Sequence, residues 1–389
     1  MEITNPIKLI NSTNLSIAVR PMHSILVAIL FIISMILIPF GTAHAVVKAP
    51  PGSVKWHPGH YYTLVGSGKD NPEYLKQVYS ELNATPALRG IQVRYSWVEL
   101  EKSFGVYDFS SIEKKLSELS AKNKRLMILL ELKSWGADTD LVPNYVINNP
   151  IYEKGIFAYS NDGSSTTITG HNIKLWNPMV RDRMAALISA LGKRFNSHEH
   201  FEGIGLTETS IGTPIKPLTS TKIHDYYSNL LVLNKKMRAS FPNTMTFQFA
   251  NHSRSLLTTL VGELKGMGSA LGCPDVFIDD AGLNFPGNQW TPQGIYPYYP
   301  ENSGLMPLVI QVEASNYEHT RWGNTGRQPT VPELLNFARD HLKVNYIFWV
   351  REPAYRKQVL EVLSWKQQNS NPSGGLRSAC PENYTTCIN

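Results

Sequence analysis

The stretch FEGIGLTETSIG, at residues 201–212, decides the fold prediction. Its pattern predicts a short buried strand that ends in polar residues, with Glu208 directly after it. A second stretch, PLVIQVEASNYEH at residues 307–319, repeats this arrangement and places Glu313 after an apolar run. A carboxylate at the end of a buried strand is costly in a core but useful in a site. The two acids are therefore predicted to form one catalytic pair.

Eight short runs rich in Val, Ile, Leu and Phe are predicted to be buried parallel strands. They are His60–Val65, Gly90–Arg94, Leu126–Leu132, Gly203–Thr207, Thr244–Ala250, Asp275–Ile278, Leu308–Val312 and Tyr346–Val350. Amphipathic helical patterns lie between them, for example at Ser110–Lys122 and Lys222–Ser240. Strands that alternate with helices in this way predict an α/β protein with a (β/α)8 TIM barrel. The alternative is a doubly wound sheet, but no glycine-rich phosphate turn follows the first strand.

The N-terminus is predicted to lie outside the barrel. An uncharged apolar run at Ser24–Pro39 follows Arg20 and precedes Ala43-His44-Ala45. This pattern is typical of a signal peptide over residues 1–45, which predicts export to the periplasm or the cell exterior. An uncleaved membrane anchor is the alternative. The barrel domain is then expected over residues 46–366, and residues 367–389 are expected to form a loose polar tail.

Composition narrows the classes of partner. The chain has 389 residues, of which 42% are hydrophobic and 17% charged, and its net charge of +6 is scattered along the sequence. Without a basic stripe interleaved with aromatic residues, no nucleic-acid partner is predicted. Cys380 and Cys387 lie seven residues apart, where a disulfide is plausible in an exported protein, and this pairing leaves Cys273 as a free thiol. No spacing of ligands predicts a metal site, and no cofactor is predicted.

The predicted strand ends carry carboxylates, one Arg, one His and several tryptophans. Acids and amides bind hydroxyl groups, and flat indoles pack against sugar rings, so this mouth suits a carbohydrate. Besides the two acids, the residues predicted to bind substrate are Arg94, Trp97, Trp135, Thr207, His252, Asp279 and Trp349.

Two carboxyl groups are sufficient to cleave a glycosidic bond. One donates a proton to the leaving oxygen, and the other attacks the anomeric carbon or activates water. The strands before Glu208 and Glu313 are three apart in a ring of eight, so the two carboxyl groups are expected to face each other across the mouth. This placement is compatible with the roughly 5–5.5 Å separation of a retaining pair.

Several motifs resemble those of clan A glycoside hydrolases, which include β-galactosidase-like, xylanase-like and cellulase-like families. Residues 97–101 (WVELE) and 105–109 (GVYDF) are similar to a signature that follows the second strand in that clan. Residues 143–145 (PNY) and 176–181 (WNPMVR) are similar to further segments, and Trp349 matches a common active-site tryptophan. The resemblance covers residues 57–366.

The resemblance implies a role for each member of the pair. Glu208 would be the acid/base and Glu313 the nucleophile, with Arg94 holding Glu313 ionised. Clan members place Asn before the acid/base, whereas this chain has Thr207. This departure bears on the substrate subfamily.

The sequence thus predicts an exported glycosidase that hydrolyses O-glycosidic bonds of a poly- or oligosaccharide with retention. The membrane would be a partner only through an uncleaved N-terminal segment. Two alternatives remain open: a catalytically inactive barrel that binds carbohydrate, and a transglycosylase or lyase that uses the same acid pair. If the pair is wrong, Glu131, Asp279 and Asp280 are the next candidate acids.

Overall fold

A computed structural model describes residues 53–163 and 166–389. Within these residues, eight parallel strands close into a barrel in which each strand pairs with its neighbours in chain order and the last pairs with the first. The strands are β1 (Gly59–Leu64), β2 (Leu88–Tyr95), β3 (Arg125–Leu130), β4 (Phe201–Leu206), β5 (Met245–Phe249), β6 (Ala270–Cys273), β7 (Leu308–Val312) and β8 (Tyr346–Val350). The predicted (β/α)8 fold is confirmed.

Helices connect most of these strands on the outside of the barrel. The longer ones are α1 (Pro72–Ala84), α2 (Ser110–Ser120), α3 (Pro178–Phe195), α4 (Ser220–Ser240), α5 (Arg254–Met267), α6 (Val331–Asn336, continued by a π-helical turn at Phe337–His341) and α7 (Arg356–Ser364). Shorter helices occur at Trp97–Leu100, Asn144–Asn148, Tyr298–Asn302 and Lys366–Asn369, with 3₁₀ turns at Gly66–Asp70, Pro150–Tyr152 and Ala314–Tyr317. None of the described helices is long and apolar enough to cross a membrane.

The predicted sixth strand was wrong. The strand is Ala270–Cys273, and the apolar run Asp275–Ile278 instead forms the loop that leaves it. Val276 in this loop donates its backbone N–H to the Asn316 side chain rather than to a neighbouring strand. Asp275–Ile278 is the more strand-like of these two short runs in sequence, because Ala270–Cys273 includes a glycine. The correction moves Asp275 to the mouth of the barrel.

Alternation along the strands divides the core into two layers. The cluster inside the barrel includes Met127, Phe247, Phe249 and Phe348. The residues that alternate with the inward-facing ones along each strand face the helices. The glycines of the opening stretch make room for these rings, since a Cβ on Gly205 would meet the Phe247 ring at 2.2 Å. Small residues on β4 are therefore what allow large ones on β5.

The far end of the barrel is closed by both ends of the described chain. Strand Ser53–Lys55 pairs in parallel with strand Thr386–Ile388, and the Trp56 indole donates to the backbone oxygen of Ser378 at 2.8 Å. A disulfide joins Cys380 to Cys387, while Cys273 is free and buried. The expectation of a loose tail is corrected, because Leu376 and Tyr384 are buried. The predicted signal segment lies outside the described residues.

Two smaller sheets of the described residues lie in the loops that follow the C-terminal ends of the barrel strands. Strands Ile156–Ser160, Gly170–Ile173 and Thr213–Pro214 form an antiparallel sheet that links the loop after β3 to the loop after β4. Strands Glu101–Ser103 and Val106–Tyr107 pair as a hairpin after β2. The long loop after β3 is thus an ordered wall beside the mouth.

Candidate active site

Glu208 and Glu313 line one open cavity at the C-terminal ends of the strands. The cavity has a volume of about 950 Å³, and its lining comes from the ends of seven of the eight barrel strands, β1 to β7. Glu208 follows β4 by two residues, and Glu313 follows β7 directly. The structure therefore brings together the two acids that the sequence paired.

Glu313 is held by groups from its own strand and from β2. Its Oε1 accepts from the Arg94 guanidinium and from Gln311 Nε2, the latter at 2.5 Å. Its backbone N–H donates to the buried Asn316 side chain at 2.7 Å. Burial opposes the charge of Arg94, but the carboxylates of Glu313 and Glu131 more than offset this effect and raise the pKa of Arg94. These contacts fix a carboxylate that still reaches the cavity, since 26% of its side-chain surface is exposed.

Glu208 is held by a different cation. Lys133, three residues beyond β3, places its Nζ 2.9 Å from Glu208 Oε1 and also donates to the backbone oxygen of Ser210. Both side chains of the ion pair are largely buried. The ammonium group also lies 4.5 Å from the centre of the Tyr159 ring, which adds a cation–π contact.

Glu131 and Asp275 line the same cavity and, like Asp140, have no ion pair among the described residues. Burial raises the pKa of Glu131, and the charges of Arg94 and Lys69 only partly offset it. Burial, followed by the negative charges of Glu313 and Glu208, raises the pKa of Asp275 to about 7, although Asn316 and Arg94 act in the opposite direction. The Asp275 Oδ1 atom accepts from Asn316 Nδ2 at 3.3 Å. With Glu99, which is ion-paired with Lys69, the cavity is lined by three acids that have an ion pair and three that have none among the described residues.

A second cavity of about 440 Å³ adjoins the first on the side of β4, β5 and β6. Trp322, Phe277, Ile211 and Leu283 supply apolar walls, and His252 lies here rather than in the larger cavity. Its lining contains two carboxyl groups, those of Asp275 and Asp280, whereas six line the larger cavity. The two spaces therefore offer different chemistry to the two ends of one ligand.

Apart from His252, which lines the smaller cavity, the predicted substrate-binding residues divide into two groups. Arg94, Trp135 and Thr207 line the larger cavity, and the half-exposed Trp135 indole lies 5.1 Å from the Arg94 guanidinium. The Thr207 Oγ1 atom accepts from the Leu132 backbone N–H at 3.0 Å, which leaves the hydroxyl hydrogen able to donate. These three residues remain candidates for contact with a ligand.

Trp97, Trp349 and Asp279 lie elsewhere. The indole of Trp97 is buried and donates to Glu101 at 2.6 Å. The indole of Trp349 faces the helix layer and donates to the ring of His60 at 3.1 Å. On β8 the neighbouring residue Phe348 faces the inside of the barrel. Successive strand residues face opposite sides, so Trp349 faces outward and the prediction that it binds substrate is corrected. Asp279 lies outside both cavities.

Sequence reasoning missed three contributions. Lys133 was not considered as a partner of Glu208, Gln311 was taken only as part of a strand, and Asp275 was placed inside one. The spacing of Gln311 and Glu313 could have indicated their contact, because residues two apart on a strand lie on the same face. No pattern along the chain indicates the ion pair of Lys133, which depends on the packing of β3 beside β4.

No protein-family model matches the chain, and no curated protein matches it in sequence. Among solved structures, the chain is similar to the catalytic domain of β-amylase from Paenibacillus polymyxa, with a TM-score of 0.53 and 9% identity over 81% of this chain and 100% of that chain. It is also similar to β-galactosidase from Bacillus circulans sp. alkalophilus (TM-score 0.49, 10% identity, 76% of this chain and 50% of that chain). For endo-glycoceramidase II from Rhodococcus sp. the TM-score is 0.48, with 11% identity over 78% of this chain and 76% of that chain.

The chain has a (β/α)8 barrel fold similar to that of the β-amylase catalytic domain. The resemblance to glycoside hydrolases that the sequence indicated is confirmed in the fold, and at these identities the likeness extends to the fold alone. Within the described residues, no group of three or more His, Cys, Asp or Glu side chains is arranged to hold a metal ion.

Proposed function

We propose that the protein is a glycoside hydrolase that cleaves O-glycosidic bonds of a poly- or oligosaccharide with retention. The observation that carries this proposal is the meeting of Glu208 and Glu313 in one cavity at the mouth, each held by its own cation. Glycoside hydrolysis requires two carboxyl groups that flank the bond to be cleaved.

Glu313 is the proposed nucleophile. A nucleophilic carboxylate has to be ionised, fixed in direction and open to the substrate. Arg94 and Gln311 satisfy the first two conditions by hydrogen bonding to Oε1, and the remaining exposure of the side chain satisfies the third. Attack by this carboxylate on the anomeric carbon would give a glycosyl–enzyme ester that water then hydrolyses.

Glu208 is the proposed partner of this nucleophile, because its position on β4 places it in the same cavity. An acid/base carboxyl protonates the leaving oxygen and later takes a proton from water. The ion pair with Lys133 suits the second step, since a neighbouring ammonium group favours an ionised carboxylate. The first step requires a rearrangement of this ion pair or a different proton donor.

The substrate is proposed to be a carbohydrate chain rather than a small anion. The larger cavity is lined by Glu99, Glu131, Asp140, Glu208, Asp275 and Glu313, against the cations of Lys69, Arg94 and Lys133. This excess of acids suits hydroxyl groups as hydrogen-bond donors and disfavours negatively charged ligands. Export remains part of the proposal and is supported by the apolar run and A-x-A pattern of the first 45 residues.

A screen of aryl β-glycosides and polysaccharides tests the function. Residues 46–389 would be assayed beside Glu313→Gln, with circular dichroism to verify that the variant is folded. We expect hydrolysis by the parent protein and loss of hydrolysis by the folded variant. Near-normal turnover in Glu313→Gln would remove the proposed nucleophile from the mechanism.

A carbohydrate-binding barrel without catalysis is the second candidate. The Lys133–Glu208 ion pair favours it, because a carboxylate that never releases its cation cannot protonate a leaving group. Binding of a polysaccharide on a glycan array, together with no product from any substrate in the screen, would support this reading over hydrolysis.

A further inference from the structure

The two cavities at the mouth share part of their lining. The shared residues are Asn161, Ser210, Asn251, Asp275 and Trp322. Asp275 is the one carboxyl group in this shared set. Glu208 and Glu313 line the larger cavity and are absent from the lining of the smaller one. A ligand that extends from one cavity into the other therefore passes Asp275.

The proposed hydrolysis divides a ligand between these cavities. The sugar attacked by Glu313 has to lie in the larger cavity, where that carboxylate and Arg94 are. The leaving group then extends toward the smaller cavity, whose Trp322 and Phe277 walls suit a second ring. The oxygen that joins the two parts lies at the junction, which is where a proton donor is needed.

Asp275 is placed to carry a proton at this junction. Its carboxyl group is partly buried, accepts one hydrogen bond from Asn316 and has no ion pair among the described residues. The charged groups that act on it are Glu313 from β7, Glu208 from β4 and Arg94 from β2, and the net result with burial is a pKa of about 7. Glu208, in contrast to Asp275, forms an ion pair with Lys133.

We propose that Asp275, rather than Glu208, donates the proton to the leaving oxygen. This inference rests on the proposed glycoside hydrolysis and changes one role within it. As a Glu313 oxygen forms a bond to the anomeric carbon, the glycosidic C–O bond breaks. Its electron pair stays on the leaving oxygen, which takes the proton from the Asp275 carboxyl group. Asp275 is left as a carboxylate beside the departing alcohol.

The second half of the reaction restores the protein. The oxygen of water attacks the anomeric carbon, and the ester bond to Glu313 breaks with its electron pair returning to that carboxylate. This water occupies the place that the leaving oxygen vacated, so the Asp275 carboxylate beside it takes the proton of the water. Asp275 is thereby returned to its protonated form, so the net change is the addition of one water across the bond.

The acidity of the leaving group separates the two candidate donors. A 2,4-dinitrophenyl glycoside departs without protonation, whereas a phenyl glycoside needs an acid. Asp275→Asn, Glu208→Gln and the control Asp279→Asn would be assayed on both kinds of β-glycoside of glucose, galactose, mannose and xylose. Asp279 is four residues along the same loop but outside both cavities, so its replacement controls for changes to the loop.

We expect Asp275→Asn to lose about 10²–10⁴-fold in kcat/KM on the phenyl glycoside, the usual contribution of a general acid. On the dinitrophenyl glycoside, its bond-cleavage step should stay within a few-fold of the parent protein. Glu208→Gln should lack this split, and Asp279→Asn should match the parent.

Three outcomes would overturn the assignment of Asp275. The split could appear in Glu208→Gln and not in Asp275→Asn, which would leave the hydrolase proposal intact. Asp275→Asn, folded by circular dichroism, could lose activity equally on both leaving groups. Failure of the parent protein on every glycoside would overturn the hydrolase proposal and this inference together.

Discussion

Lys133 and Glu208 form an ion pair across the ends of β3 and β4, with Nζ 2.9 Å from Oε1 and 5% and 8% of the two side chains exposed. Such a pair is neither a surface salt bridge nor a fully buried one, because it borders an open cavity. Its removal is therefore expected to affect both the stability of the mouth and the charge available for chemistry.

Lys133→Met should lower the free energy of unfolding by about 1–3 kcal/mol, because it leaves the Glu208 carboxylate largely buried without its cation. This loss is smaller than that expected for a fully buried ion pair, because water in the cavity solvates the remaining charge. Denaturant unfolding would measure the change. The double variant Lys133→Met/Glu208→Gln should recover most of the loss, and a single variant as stable as the parent would contradict this account.

The stability of the protein is expected to depend on pH because burial raises the pKa of Asp275. Its pKa of about 7 in the folded protein exceeds the ordinary value near 4 in the unfolded chain, so the folded protein binds more protons between these values. Stability carried by this group is full below about pH 4 and falls as pH rises toward 7.

The fall amounts to at most about 4 kcal/mol, and less where cavity water solvates the carboxylate. Asp275→Asn cannot ionise and should lack it. Chemical denaturation of both proteins at several pH values between 4 and 8 measures the difference in their free energies of unfolding. A difference that stays constant over this range would show that Asp275 titrates normally.

Trp135 and Trp349 should respond oppositely to replacement. Trp135→Ala should raise KM about 2–10-fold on a carbohydrate substrate, because its half-exposed indole lines the larger cavity. Trp349→Phe should leave KM unchanged and lower the free energy of unfolding by about 1–3 kcal/mol, through a small cavity and the lost hydrogen bond to His60. Steady-state kinetics and unfolding of both variants supply the test, and a raised KM in Trp349→Phe would return that indole to the site.

The disulfide between Cys380 and Cys387 should matter for stability and not for catalysis. It closes a loop with a sequence separation of 7, for which chain entropy gives about 2 kcal/mol of stabilisation. The variant Cys380→Ser/Cys387→Ser should therefore melt a few degrees lower in a thermal scan. Its kcat/KM should equal that of the parent, since the bond lies at the end of the barrel away from the mouth. A fall in kcat/KM at a temperature where the variant is folded would refute this separation.

The sequence predicted the parts of the structure that depend on local periodicity. Seven of the eight strands were placed correctly, and Glu208 and Glu313 were found because an acid after a buried run is conspicuous. The strand Ala270–Cys273 was missed because its four residues include a glycine, while the more strand-like run Asp275–Ile278 lies only one residue beyond it.

The errors share a physical origin. Trp349 and Trp97 were assigned to the mouth by type, yet the face on which a strand residue lies is set by the register with its neighbours. The ion pair of Lys133 and the pKa of Asp275 depend on which loops meet in space. Such relationships between distant residues are invisible to a pattern read along the chain.

The pairing of Ser53–Lys55 with Thr386–Ile388 also determines which side of the protein would face a large ligand. Both strands lie beneath the barrel, so a tether, a fused module or a solid support attached before Ser53 or after Asn389 would hold the protein by its base. The mouth would then point away from the attachment. A polymer too large to diffuse could reach the acids from the open side, and immobilisation through either terminus should leave that approach clear.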